Sequence, residues 1–119
     1  MTAHVCLPNV TDGASVPSTL SPVILTDNLR GRLGFKGVII TDSMGMGAIT
    51  QEYSADEAAI LAIQAGVDVV LDPADYVSAF EAVVSAVEAG RISEERLDES
   101  VQRVLDLKKR ILLKRGQLK

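Results

Sequence analysis

Gly37-Val38-Ile39-Ile40-Thr41-Asp42-Ser43-Met44 is the stretch that decides the fold of this chain. Glycine followed by β-branched apolar side chains reads as a short buried strand, and an ionisable carboxylate stands where that strand ends. A carboxylate in such a place is costly to desolvate unless it is paired, hydrogen-bonded or used. In parallel α/β folds, ligands and catalytic groups gather at the C-terminal ends of the strands. Asp is also a common cap of a following turn or helix. Position alone leaves Asp42 open between these two roles.

Outward from this strand, the chain alternates. Residues 2–6 read as a strand, followed by a loop through Pro8, Asn9, Asp12, Gly13 and Pro17. Ser21-Pro22 opens a helix with a Ser cap and Pro in the first turn; Val23, Ile24, Leu29 and Leu33 form its apolar side and Gly34 ends it. After the strand at 37–41 comes a Gly/Met-rich loop, 43–50. Ser54 with Glu57 forms a capping box for a helix that stops at Gly66. Val67–Leu71 is a third strand, ending at Asp72-Pro73. A helix over 75–89 places Val77, Phe80, Val84 and Val87 on one stripe. Ser93 caps a last helix with Leu97, Val101, Val104, Leu105 and Leu107 on its apolar side. The cations of its final turns, Lys108, Lys109, Arg110, Lys114 and Arg115, suit the negative end of a helix dipole better than a nucleic-acid patch.

Strand, helix, strand, helix, strand, helix is the pattern of parallel βαβ units, and strands apolar throughout belong to a sheet covered on both faces. Three parallel strands leave two unpaired edges. Because the sequence starts inside a strand, the pattern favours a piece of a larger sheet over a small open α/β domain.

Composition narrows the function classes. The chain has 119 residues, 47% of them hydrophobic and 3% aromatic, which is enough for one small core. A formal net charge of −4 argues against a phosphate-backbone partner, so no nucleic acid is expected. No apolar run approaches the roughly 20 residues that span a bilayer, and no leader is visible, so neither membrane nor secretion is expected and a cytoplasmic location is. One cysteine, Cys6, and one histidine, His4, rule out an internal disulfide and paired-His metal motifs. Cys6 reads as a small apolar filler beside a strand.

Several stretches resemble glycoside hydrolase family 3, and most closely its bacterial β-N-acetylglucosaminidase (β-hexosaminidase) branch. They are Met1-Thr2-Ala3-His4-Val5, Ser18-Thr19-Leu20-Ser21-Pro22, Leu29-Arg30, Leu33 through Asp42, Ala65 through Leu71 and Gly90 through Val101. The resemblance implies the last three βα units of a (β/α)8 TIM barrel, with residues 1–5, 37–42 and 67–71 as strands six, seven and eight. The whole of 1–119 would then be a C-terminal fragment of the barrel domain. It implies that Asp42 is the catalytic nucleophile, that Met46 lines the sugar pocket and that His4 stands at a strand end facing the pocket. It implies no metal and no cofactor. The family's β-glucosidase branch typically has a Trp after the nucleophile; here Ser43 follows and the chain has no Trp. The acid/base of the branch, a His–Asp dyad beside a Lys-His-x-Pro-Gly-x-Gly motif, is absent from this sequence.

The expected function is therefore that of a fragment of a retaining glycosidase acting on terminal β-linked N-acetylglucosamine, carrying the nucleophile without the acid/base. Its partners would be a carbohydrate, once the barrel is completed, and either further copies of itself or the missing N-terminal part. The alternative is a non-catalytic α/β module of the same ancestry, self-associating or partner-binding. Met46 as core filler and His4 as a structural hydrogen-bonder stay open beside their pocket roles. A flavodoxin-like phosphoacceptor reading would need an acidic cluster near the first strand and about five strands.

Overall fold

The computed structural model describes residues 1–116. Residues 1–5, 38–42 and 67–71 run extended side by side, with 38–42 in the middle. The Thr2 N–H donates to the Ile40 carbonyl at 2.8 Å on one side. On the other, Asp68 and Val69 N–H donate to the Ile39 carbonyl at 2.8 and 3.1 Å, and Thr41 N–H to the Val69 carbonyl at 3.0 Å. Ile40 and Val69 form a parallel bridge.

The expected continuous strands are corrected here to single bridges, because side chains take ladder positions at both ends. The Ile39 N–H donates to the Asp68 carboxylate at 2.8 Å, and the Leu71 N–H to the Thr41 hydroxyl at 2.8 Å. Each such bond diverts a main-chain donor from the neighbouring backbone. The first segment ends in an antiparallel bridge between Cys6 and Pro17. Cys6 is exposed there rather than filling a core, because main-chain pairing alone fixes it.

Helices make up most of the ordered structure. A one-turn helix at Ser18–Leu20 precedes a wide, π-type helix over Val23–Arg32. Ser21 supports its start, its Oγ accepting from Ile24 N–H at 3.4 Å. The apolar side expected from α-helical spacing is shifted, since a π turn closes on the fifth residue and changes the phase of the side chains. Leu25 is the buried residue, Ile24 and Leu29 pack partly, and Val23 and Leu33 face solvent. The loop expected over 43–50 contains a helical turn, α1 (Gly47–Thr50).

Helix α2 (Ala55–Ala65) begins as expected, with the Ser54 Oγ accepting from Glu57 N–H at 3.2 Å. It ends at Gly66, whose φ of 118° is left-handed and where an added Cβ would meet the Thr26 hydroxyl at 2.9 Å. Helix α3 (Tyr76–Glu88) is capped by Asp75 and joined to α2 by a Ser78–Asp56 hydrogen bond. Three members of its expected stripe point outward, Val77 and Phe80 being 62% and 61% exposed and Val84 also exposed, while Val87 packs inward as expected. The face that meets α2 is built from Ala79, Ala82, Val83 and Ala86, small residues that let two helices approach closely.

Helix α4 (Glu94–Lys114), capped by Ser93, also leaves Val101, Leu105 and Leu107 exposed. Leu97 packs against the cluster of Ile60, Ala86 and Ile92, and the rest of the helix's hold on the body is mainly polar. The Asp68 side chain, with no solvent exposure, pairs with Arg30 at 2.6 Å and Arg103 at 3.0 Å and accepts from Ser100 at 2.7 Å. Arg96 reaches the Val67 carbonyl at 2.8 Å and Ser100 at 2.6 Å. Burial by itself would push the Asp68 carboxyl up. The Ile39 N–H, Ser100, Arg103 and Arg30 outweigh it and hold the carboxyl below the usual carboxylate range. The main core, with Leu20, Leu25, Ile39, Met44, Ile49 and Val67, lies between the extended segments and α2.

Candidate functional site

Asp42 closes the middle extended segment and is half-buried. Its carboxylate does not cap a helix, since α1 starts at Gly47 with no side-chain cap. Instead Oδ1 accepts from the N–H of Ser43 at 2.8 Å, and among the described residues Oδ2 has no hydrogen-bond donor. One oxygen is thus tethered and the other open to a ligand.

The loop that follows is held from both sides. On one side stands His4, whose Nε2 lies 2.9 Å from the Ser43 carbonyl and whose Nδ1 lies 2.9 Å from the Thr19 hydroxyl. A carbonyl can only accept, so the Ser43 carbonyl assigns a proton to Nε2. Thr19 is fully buried and also meets the Thr2 hydroxyl at 2.8 Å. On the other side the Ser43 hydroxyl donates to Asp72 Oδ2 at 2.7 Å, and Met44 N–H to the Leu71 carbonyl at 2.9 Å.

His4 and Asp42 are therefore brought to one place, linked through Ser43. Met46 lies four residues beyond Asp42 in the same loop, its N–H donating to the Ser43 carbonyl at 3.2 Å. It is 46% exposed and fills no gap in the core; the methionine that does is Met44 at 2%. Asp72, Thr19 and Thr2 complete the surroundings without having been singled out by sequence. Asp72 carried a signal, an acidic residue at the end of the next strand, in the same position as Asp42 in its own. Among the described residues no group of three or more His, Cys, Asp or Glu side chains converges to hold a metal ion. The arrangement presents a carboxylate oxygen at the end of the middle extended segment, which suits nucleophilic attack or charge stabilisation.

Comparison with known proteins places this geometry. Residues 1–107 match the model of the glycosyl hydrolase family 3 N-terminal domain. A β-N-acetylglucosaminidase/β-glucosidase of Cellulomonas fimi is 35% identical over 109 residues, covering 92% of this chain and 19% of that protein. A β-hexosaminidase of Hydrogenovibrio crunogenus is 41% identical over 99 residues, covering 82% of this chain and 27% of that protein. The solved family 3 β-N-acetylglucosaminidase of a Paenibacillus species superimposes with a TM-score of 0.88 at 45% identity, over 92% of this chain and 21% of that one. This chain thus spans about a fifth to a quarter of the length of these relatives. In the solved neighbours the domain is a barrel of the TIM type. With a family match over nearly all its residues and a close structural superposition, the chain belongs to glycosyl hydrolase family 3, within the N-terminal domain of that family.

Proposed function

We propose that this chain supplies the nucleophile of a retaining β-N-acetylglucosaminidase site, as the last three βα units of an eight-stranded barrel. The observation that carries the reading is the half-buried Asp42 at the end of the middle parallel segment, one oxygen tethered by Ser43 N–H and the other open. In a retaining glycosidase such a carboxylate attacks the anomeric carbon while a second group protonates the leaving oxygen; water then hydrolyses the glycosyl-enzyme ester. Asp42 performs the first part. The acid/base comes from outside these residues, as do most sugar-positioning groups, so turnover requires the rest of the barrel. Met46, exposed beside Asp42, is the candidate sugar contact from this chain. Ser43 after the nucleophile, in a chain without Trp, supports the N-acetylglucosaminide over the glucoside.

The exposed apolar side of α3 supports the barrel placement, since the eighth helix of a closed barrel packs against the first. A barrel completed by joining this chain behind the first five βα units of the Paenibacillus enzyme tests the role of Asp42. With a chromogenic N-acetylglucosaminide, Asp42→Asn is expected to lower kcat by several orders of magnitude, as loss of a covalent nucleophile does. Near-normal turnover by that variant overturns the assignment.

A further inference from the structure

We propose that Asp72 is a positioning residue for Asp42 and acts through Ser43; the catalytic meaning of this rests on the nucleophile reading above. Among the described residues the hydrogen bond to the Asp42 carboxylate comes from the 42–43 peptide, whose N–H reaches Oδ1 at 2.8 Å. A peptide plane can rotate, and a rotation of this one would release Oδ1 and let the carboxylate turn. Two side chains fix Ser43, the residue at the far end of that plane, one through its carbonyl in the next peptide and one through its own hydroxyl. His4 Nε2 donates to the Ser43 carbonyl at 2.9 Å, and the Ser43 hydroxyl donates to Asp72 Oδ2 at 2.7 Å.

The two holds come from opposite neighbours of the central segment, His4 from the first and Asp72 from the third. Asp72 is itself unusual. Its φ is 48°, a left-handed conformation that few residues other than Gly adopt and that Asp and Asn tolerate best. Leu71, just before it, is bound at both main-chain groups to the same loop, through Thr41 Oγ1 and Met44 N–H. The segment 71–72 therefore grips residues 41–44 at three points. Asp72 supplies the one that ends on Ser43. A carboxylate held in one rotamer keeps its free oxygen aimed at one place, which is the requirement for attack on a bound sugar.

The test uses the 119-residue chain and nuclear magnetic resonance, without reference to turnover. In Asp72→Ala the Ser43 amide is expected to exchange with solvent about tenfold faster, as loss of one hydrogen bond implies, and the Asp42 Cγ shift is expected to move. Asp72→Asn keeps an acceptor for the Ser43 hydroxyl and tolerates the left-handed backbone, so it is expected to restore both signals. Ser43→Ala removes the hydroxyl without touching residue 72 and is expected to reproduce the Asp72→Ala result. Amides of α2 retaining wild-type protection show that each variant is folded. Unchanged Ser43 exchange and Asp42 Cγ shift in both Asp72→Ala and Ser43→Ala, or failure of Asp72→Asn to restore them, overturns the proposal. That outcome leaves the nucleophile reading standing. Full turnover by Asp42→Asn in the completed barrel removes the nucleophile reading and leaves the clamp.

Discussion

At the scale of the residue, a few polar side-chain atoms take the place of main-chain partners. Thr41 is fully buried and its hydroxyl accepts the Leu71 N–H, tying the end of the central segment to its neighbour one residue before Asp42. Thr41→Val keeps the shape and removes that acceptor, which is expected to cost about 1 kcal/mol. In a chain of this size the loss reads as a fall of several degrees in the thermal midpoint; an unchanged midpoint by circular dichroism contradicts the assigned bond. Asp42 was legible in the sequence because a carboxylate at the end of an apolar run is conspicuous. Asp72 showed only as an acidic residue closing the next strand, because its partner is Ser43, 29 residues away, which no local pattern announces. The same holds for Thr19, which reads as a loop residue and sits fully buried against His4.

At the scale of the element, starts and stops were the legible part. Ser54, Ser93 and Gly66 act as caps as their residue types imply, because capping is decided within a few residues. Which face of a helix is buried depends on what packs against it. Val77, Phe80 and Val84 are the large apolar side of α3, yet α2 meets the alanine side. The widened helix over 23–32 shows a second limit, since apolar spacing assumes 3.6 residues per turn. Helix α4 is fastened mainly at Asp68, and removing a buried partner leaves opposite charges uncompensated. Asp68→Asn is expected to destabilise the chain by about 3–5 kcal/mol and to free α4 for proteolysis first. The sign with pH follows from the lowered carboxyl. Folding favours its ionised form, so its contribution is complete above the unfolded value of about 3.9 and is lost as pH falls through the lower folded value. Denaturant midpoints of the wild type and Asp68→Asn should therefore approach each other as pH falls below about 4. A denaturant midpoint unmoved by Asp68→Asn at pH 7 contradicts the fastening role.

At the scale of the whole molecule, the described chain is open. Its radius of gyration is 15.0 Å, against about 13.5 Å for a compact domain of this length. Outer flanks of α3 and α4 carry exposed apolar side chains, and among the described residues the segment at 67–71 has an extended neighbour on one side only, while the segment at 1–5 is met on its other side near Val5 and Cys6 alone. Open edges and apolar patches recruit further chain. On its own the 119-residue chain is expected to sediment as an oligomer at low micromolar concentration while showing folded far-UV circular dichroism; a strictly monomeric, folded species favours the independent module instead. The alternation of units pointed to parallel extended segments and the family resemblance to the TIM-type barrel of the solved neighbours, whereas the reduction of the expected strands to isolated bridges depends on side chains reaching between segments. The central claim is that Asp42 forms the covalent bond to the sugar. The most direct measurement is to incubate the completed barrel with a 5-fluoro-N-acetylglucosaminyl fluoride, digest it, and map the added mass. One glycosyl group is expected on the peptide holding Asp42 and none in Asp42→Asn; a glycosyl group on any other carboxylate would contradict the nucleophile assignment.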